Sequence, residues 1–229
     1  MTMTTLSTPE DLSPEQMTLD EVRPLIARAL PAHAAFDGWS HAALAAAASD
    51  VGIPAERAKL LFPGGATEMI DAWILVADED MARALAESGP LPASVTARIR
   101  ACIWTRLEQA APWREAVRRA VAILSMPQNA MLSARILWRS ADAMWRLAGD
   151  TAVDFNHYTK RLTLGGVYAA TLLVWLNDDS EGFSETADFL DRRLADVGRF
   201  EKFKAGFRKS GENRPSLTRF LGRLRYPAI

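Results

Sequence analysis

Glycine and proline residues divide this chain into segments whose lengths suit helices. The breaks fall at Pro31, Gly52, Pro54, 63–65, 88–90, Pro112, Pro127 and 149–150. Between the breaks, apolar residues recur every three or four positions, as Ile70, Trp73 and Ile74 do, which places them on one face of a helix. Valine and isoleucine never alternate with polar residues over the length of a strand. The sequence therefore predicts an all-α protein.

The first three predicted helices are short and closely spaced. Their expected bounds are 19–30, stopped by Pro31, then 40–49, capped by Ser40, and 55–62, opened by Pro54. Three short helices joined by such tight turns are typical of a helix-turn-helix unit. We place this unit at residues 19–65.

Longer helices follow and form a larger helical domain, which we place at residues 66–208. The expected helices cover residues 67–87, 95–107, 117–124, about 130–147, 153–176 and 184–207. The most apolar run, Leu162–Leu176, is short for a bilayer span and contains two glycines and two threonines. We interpret it as part of a buried core helix.

Targeting signals and disulfide chemistry are not expected from the sequence. Residues 1–18 are acidic and have no apolar core, so we interpret them as a disordered leader and not as a signal peptide or an arginine-rich presequence. The lone Cys102 cannot form an internal disulfide, which fits a reducing compartment.

The formal net charge of −1 conceals an uneven distribution along the chain. Residues 1–189 carry 16 basic and 24 acidic residues, a net charge of −8, and residues 190–229 carry 11 and 4, a net charge of +7. Concentrated positive charge attracts polyanions and anionic membrane surfaces within a Debye length. A solvated basic helix end is the alternative, so the apolar residues of the same segment decide between them.

Residues 209–229 combine apolar and basic residues at helical spacing. A helix that begins near Pro215 puts large apolar side chains on one face and arginines at its flanks. The candidate membrane-binding residues are Leu217, Arg219, Phe220, Leu221, Arg223 and Leu224. Each large apolar side chain contributes about 1.5–3 kcal/mol on burial, and each arginine about 1 kcal/mol near an anionic surface, which suffices for reversible attachment. Docking on the chain's own core or on a dimer mate is the alternative.

The sequence lacks the motifs of common catalytic and metal sites. It contains no nucleophile elbow, phosphate-binding loop, dinucleotide fingerprint or H-E-x-x-H helix, and no glutamate is followed by a histidine three residues later. We therefore expect a protein that is not an enzyme, with no catalytic residue, cofactor or metal.

The charge of the helix-turn-helix unit argues against a nucleic-acid partner. Residues 20–66 contain four basic and five acidic residues, and the third helix offers only Arg57 and Lys59, which Glu56 opposes. DNA affinity depends largely on neutralising phosphates, so this unit lacks the usual electrostatic footprint. A TetR-type transcription regulator that senses an apolar ligand is the alternative function.

Tryptophan and methionine concentrate in the larger domain. They are common in ordinary cores, but flat rings and flexible thioethers also line pockets for alkyl or isoprenoid ligands. The sequence leaves both interpretations open. The candidate lipid-binding residues are Trp104, Trp138, Trp145, Leu164, Tyr168 and Trp175.

The segment 154–161 mixes charged, polar and aromatic residues at the start of the most apolar helix. His157, Tyr158 and Arg161 stand at i, i+1 and i+4, a spacing that lets them project together as a partner-binding patch. Such side chains are favoured as interface anchors. The alternative is that Asp154 or Asn156 simply caps the helix that follows.

Residues in the second half of the chain resemble the Coq-nine family of ubiquinone-biosynthesis accessory proteins. The residues that carry the resemblance are Trp145, Asp150, 154–161, Leu164, Val167, Tyr168, Thr171, 178–180 and 189–193. The similarity extends from the helix-turn-helix unit to residue 229 and is strongest between residues 138 and 197.

The resemblance implies a fold similar to TetR regulators and a lipid bound in the larger domain, either an isoprenoid or a phospholipid. It implies that the protein presents an isoprenoid quinone intermediate to a ubiquinone-pathway hydroxylase at the membrane. The hydroxylase patch then maps to His157 and Tyr158, and His157 stands where relatives can carry tryptophan. By analogy with TetR proteins we expect a homodimer with its seam at 153–176 and 184–207. We expect the protein in the bacterial cytoplasm, peripheral on the inner membrane.

Overall fold

A computed structural model describes residues 17–150 and 155–212, with side chains in these ranges apart from those at 155–156 and 200–212. The helices within this part of the chain are α1 (Leu19–Asp37), α2 (His41–Asp50), α3 (Ala55–Leu61), α4 (Ala66–Glu87), α5 (Val95–Ala110), α6 (Arg114–Leu124), α7 (Ala130–Leu147), α8 (Phe155–Trp175) and α9 (Ser184–Glu212). The described ranges contain no strand. The all-α prediction is confirmed.

Local sequence signals set the beginnings of several helices. Thr18, Ser40 and Ser94 each accept a hydrogen bond through the side-chain oxygen from the backbone N–H three residues later. Each bond satisfies one of the amide groups that a helix leaves unpaired at its N-terminus. The predicted cap at Ser40 is therefore correct.

The predicted end of α1 at Pro31 is wrong. The helix continues through the proline to Asp37 and ends where Gly38 adopts a φ of 68°. Leu30 and Ala34 are both fully buried and extend one apolar face past the proline. Because this face packs on the core along its whole length, tertiary packing outweighs the backbone hydrogen bond that proline cannot donate.

The helix-turn-helix unit, α1–α3, packs directly on the larger domain. Trp39 donates a hydrogen bond through Nε1 to the Ala116 carbonyl oxygen at 3.0 Å, and its ring centroid lies 5.3 Å from that of Trp73. Arg28 of α1 forms an ion pair with Asp80 of α4 at 3.0 Å. These contacts hold α1 against α4 and α6.

Helices α4–α9 form the larger domain, in which α4 contacts α5 and α7, α7 packs on α8, and α8 packs on α9. The α7–α8 contact is close at Gly165, where a Cβ would lie 3.1 Å from Leu137 Cγ. Arg100 of α5 pairs with Asp191 of α9 at 2.6 Å. Helices α4–α8 surround an internal cavity.

The segment boundary predicted at residue 208 does not coincide with the end of a helix. α9 continues to Glu212 without a break at residue 208, so the boundary predicted there falls inside a helix. Residues 1–16 of the leader predicted at 1–18, the cap proposed at Asp154 and the membrane-binding residues at 217–224 lie outside the described residues.

Within the described ranges, no single helix combines the length and apolarity needed to cross a bilayer. The bent pair of α3 and α4 reaches these thresholds together, with an angle of 83° between its two parts.

Candidate functional site

An apolar cavity of about 250 Å³ lies between α4, α5, α6, α7 and α8; we call it the central cavity. Its apolar walls include Trp73, Leu107, Val121, Ile136, Leu137 and Leu172. A cavity of about 150 Å³ with similar walls is enough to bind benzene. The central cavity is therefore large enough for an aromatic ring or a short stretch of an isoprenoid chain.

The central cavity has a cluster of polar groups on its wall. Arg106 is only 5% exposed, and its Nε lies 3.3 Å from Asp78 Oδ1. Ser140 donates a hydrogen bond through Oγ to Asp78 Oδ2 at 2.8 Å. Arg106 and Ser140 line the cavity together with Tyr168. This arrangement suits a ligand with an apolar body and one polar end.

Burial controls the charge of this polar cluster. It raises the pKa of Asp78, and the Arg106 guanidinium and the Ser140 hydroxyl offset part of that rise. Burial also raises the pKa of the Tyr168 phenol, which Arg106 again offsets in part. Tyr168 is therefore neutral at ordinary pH and can act as a hydrogen-bond donor or acceptor toward a ligand.

A second apolar cavity, of about 320 Å³, lies between α5, α7, α8 and α9; we call it the α9 cavity. Ile99, Trp145, Leu164, Val167 and Leu194 line it, with Lys160 at its margin. Trp145 donates a hydrogen bond through Nε1 to the Lys160 carbonyl oxygen at 3.0 Å, and the Lys160 ammonium lies 5.3 Å from the Trp145 ring centroid.

The six predicted lipid-binding residues divide among different environments. Tyr168 lines the central cavity, and Trp145 and Leu164 line the α9 cavity. The other three, Trp104, Trp138 and Trp175, line neither cavity.

Two of these three tryptophans pack against side chains of the protein outside both cavities. Trp175 is fully buried, and its ring centroid lies 5.9 Å from that of Phe183. Trp104 is half-buried and donates a hydrogen bond to Glu108 at 2.7 Å. Composition indicates aromatic residues of the larger domain, but only the packing of helices distinguishes a cavity wall from a filled core. The residues that sequence reasoning missed are small or aliphatic, such as Ile136, Leu137 and Leu172, and carry no distinctive signal.

Trp138 joins two of the predicted patch residues on the surface. Its ring centroid lies 5.8 Å from that of Tyr158 and 6.1 Å from that of His157, and the last two rings are 5.1 Å apart. Tyr158 is 59% exposed. We call these three side chains the aromatic patch. It presents flat, amphipathic surface of the kind found at the centres of protein interfaces.

The predicted place of Arg161 in an exposed patch is wrong, because its side chain is only 3% exposed. Arg161 pairs with Asp142 at 2.5 Å and with Asp150 at 3.4 Å, and donates a hydrogen bond to the His157 carbonyl oxygen at 3.2 Å. The buried Arg161 side chain therefore links the first turn of α8 to α7. Helical spacing could not reveal this, since both carboxylates belong to segments before α8.

The two basic side chains of α3 are engaged within the protein. Lys59 pairs with Glu56 at 2.7 Å. Arg57 donates a hydrogen bond to the Met17 carbonyl oxygen. Both basic side chains of α3 therefore have partners within the protein.

Comparisons with known proteins find similarity to COQ9 proteins. Residues 130–201 match the family model described as COQ9. The chain is 31% identical over 195 residues to the ubiquinone biosynthesis protein COQ9, mitochondrial, of Rattus norvegicus and also to that of Homo sapiens. These matches cover 82% of this chain and 61% and 60% of the respective relatives. The chain thus spans about three fifths of the length of the curated relatives it matches.

The fold is similar to a solved TetR transcriptional regulator from Nitrosomonas europaea, with a TM-score of 0.57 and 24% sequence identity. The match covers 76% of this chain and 95% of that chain. Since identity is this low, the likeness bears on the fold alone. It confirms the predicted TetR-like fold.

The predicted location in a bacterial cytoplasm, peripheral on the inner membrane, is contradicted by the names of these relatives. The rat, human and bovine proteins are each named as mitochondrial. The prediction is withdrawn.

Proposed function

Since the chain is a relative of the COQ9 proteins, as the resemblance predicted, we propose that it is a non-enzymatic accessory protein of ubiquinone biosynthesis. In this proposal it binds an isoprenoid quinone intermediate and presents it to a hydroxylase of the pathway. The observation that supports this most strongly is the central cavity, which combines apolar walls with one polar cluster.

The central cavity matches the chemistry of such a ligand. An isoprenoid quinone has a long apolar tail and an oxygenated ring, and the cavity offers aliphatic walls beside Arg106, Ser140 and Tyr168. Burial of apolar ligand surface contributes about 25 cal/mol per Å². The buried polar groups contribute orientation, because a ligand oxygen left without a hydrogen bond there is penalised.

The aromatic patch supports the presentation step. Tyr158, His157 and Trp138 lie on the outer surface of α7 and α8, and the same two helices supply Leu137 and Tyr168 to the wall of the central cavity. A partner that docks on the patch is therefore adjacent to the helices that enclose the ligand. The homodimer and the membrane attachment through residues 217–224 belong to the same proposal.

Analysis of the lipid that co-purifies with the full chain tests whether the protein binds such a ligand. We expect native mass spectrometry and solvent extraction to detect an isoprenoid quinone or a phospholipid, with occupancy lost in Ala120→Phe. Ala120 lines the central cavity and is 2% exposed, so a phenyl ring there fills space that the ligand needs. Ala122→Phe, on the exposed side of the same helix, is the matched control.

Several wild-type preparations without bound lipid would remove the binding proposal. Equal lipid occupancy in Ala120→Phe and Ala122→Phe would place the ligand outside the central cavity.

A TetR-type transcription regulator that senses an apolar ligand is the rival function, and the likeness in fold does not decide between the two. It predicts salt-sensitive binding to an operator sequence. Because residues 20–66 carry four basic and five acidic residues, we expect no mobility shift with genomic DNA fragments at low salt. A specific, salt-sensitive shift would favour the regulator.

A further inference from the structure

A smaller, polar cavity adjoins the central cavity. It has a volume of about 170 Å³ and lies between α1, α4 and α5; we call it the α1 cavity. Trp73, Arg106 and Ala110 line both cavities, so these three residues form the partition between them. The α1 cavity is therefore a polar neighbour of the apolar site, and these side chains stand between the two.

Two buried polar groups on the wall of the α1 cavity lack hydrogen bonds within the described part of the chain. The Oε1 atom of Gln109 has no partner there, although its Nε2 donates to the Asp80 carbonyl oxygen at 3.2 Å. Arg106 Nε makes no hydrogen bond either, but it lies 3.3 Å from Asp78 Oδ1 in an ion pair. The Gln109 amide oxygen is therefore the group without a partner here, and such a buried group is costly in a folded protein and points to a ligand.

The two groups have complementary chemistry. Arg106 is a donor, and the Gln109 amide oxygen is an acceptor. They stand at i and i+3 on α5, a spacing that places neighbouring side chains on one face of a helix. A hydroxyl group satisfies both, because its oxygen accepts from the guanidinium and its proton is donated to the amide oxygen. A ring carbonyl or an ether oxygen can satisfy only Arg106.

Charged ligand groups fit this position poorly. A carboxylate would meet the carboxylates of Asp80, on the cavity wall, and Asp78, which already pairs with Arg106. An ammonium would meet Arg28 and Arg106. Trp73 and Trp113 contribute flat aromatic surface to the same wall, which favours a ring.

We propose that the central and α1 cavities form one binding site, in which a phenolic hydroxyl reaches past Trp73 to bridge Arg106 and Gln109 while the apolar tail lies in the central cavity. This inference rests on the proposed function and deepens it. The site selects a ring that carries a free hydroxyl, such as a phenol or hydroquinone, over the corresponding quinone or methyl ether.

Three short probes test this selection on the full chain. 4-Hexylphenol carries both donor and acceptor, 4-hexylanisole keeps only the acceptor, and hexylbenzene has neither. We expect isothermal titration calorimetry to show about tenfold tighter binding of the phenol than of the anisole, the effect of one buried hydrogen bond. In Gln109→Met, which keeps the side-chain volume but removes the amide, this preference should fall to less than about twofold, with anisole affinity unchanged.

Gln128→Met is the matched control, because this exposed glutamine lines neither cavity. It should keep the phenol preference. Thermal melts of both variants establish that they fold, and Gln109→Leu replaces Gln109→Met if the latter does not.

The outcomes separate the two proposals. Hexylbenzene binding without a phenol preference overturns the hydroxyl site and leaves lipid binding in place. A phenol preference that survives in Gln109→Met also overturns it. No measurable binding of any of the three probes, together with no co-purified lipid, counts against the proposed function itself.

Discussion

Adjacent glycines in α8 offer a matched pair of substitutions at the contact between α7 and α8. A Cβ at Gly165 would lie 3.1 Å from Leu137 Cγ, whereas a Cβ at Gly166 would meet nothing within 4 Å. Both glycines lie in the helix interior. Replacing glycine by alanine there reduces the conformational entropy lost on folding and contributes about 1 kcal/mol to stability.

The two alanines should differ because only one of them crowds a neighbour. Overpacking costs about 1–3 kcal/mol, and at Gly165 it opposes the gain of about 1 kcal/mol. We therefore expect Gly166→Ala to stabilise the protein by about 1 kcal/mol. Gly165→Ala should range from unchanged to about 2 kcal/mol less stable than the wild type.

Reversible urea unfolding followed by circular dichroism measures both free energies of unfolding. In a protein of this size, 1 kcal/mol also moves the Tm by about 2–4 °C. Leu137 lines the central cavity, so the methyl group added at Gly165 should push it inward and weaken hexylbenzene binding relative to Gly166→Ala. Equal stabilisation by the two alanines, with equal probe affinity, would refute this reasoning about the α7–α8 contact.

Three further predictions concern α8 and the start of α9. Arg161→Met should destabilise the protein by about 1–3 kcal/mol in urea unfolding, because Asp142 and Asp150 lose a guanidinium that is only 3% exposed and keep the more exposed Arg146 and Lys160 as partners. Arg146→Met, at a 74% exposed side chain, should cost less than about 0.5 kcal/mol. Tyr158→Ala should weaken co-purification of a ubiquinone-pathway hydroxylase with no change in Tm, while Leu173→Ala, on the same helix, leaves the complex intact. Asp178→Asn should destabilise by about 1–3 kcal/mol at pH 7 and flatten the acid limb of the stability profile, measured by urea unfolding from pH 7 to pH 3.

The acid prediction follows from the position of Asp178. Burial alone would raise its pKa, but hydrogen bonds from Ser180 and Thr186 to the carboxylate hold the pKa well below its usual range. A folded-state pKa below the unfolded value of about 3.9 contributes stability above that pH, and this stability is lost as the pH falls. An unchanged acid limb in Asp178→Asn would contradict the assignment.

Local signals were sufficient to predict most helix positions. The cap at Ser40 and the start of α7 at residue 130 follow from neighbouring residues, and the structure agrees with both. The end of α1 was predicted wrongly at Pro31, because whether a helix continues through this proline depends on the packing of α1 against α4 and α6. Propensity is a weak guide wherever a buried face continues across a breaking residue.

The candidate site was less predictable from the sequence, because packing by residues distant in sequence also decides which side chains are exposed. Tyr158 is exposed and Arg161 is buried although they lie three residues apart, because Asp142 of α7 and Asp150 take the guanidinium. Likewise, Tyr168 lines a cavity and Trp175 fills a core on the same helix. Such differences arise from neighbours distant in sequence, which periodicity along one helix does not contain.

The residues that match the COQ9 family model include parts of both apolar cavities. Residues 130–201 cover α7, α8 and most of α9, which carry the aromatic patch, most of the α9 cavity and one wall of the central cavity. Helices α1–α3 contribute to neither apolar cavity, yet Arg28 and Pro31 of α1 line the α1 cavity. If a phenolic hydroxyl binds there, the helix-turn-helix unit has a function that does not involve DNA. Helix α1 closes the polar end of the ligand site, so its packing on α4 is required for ligand binding, whereas α3 is not.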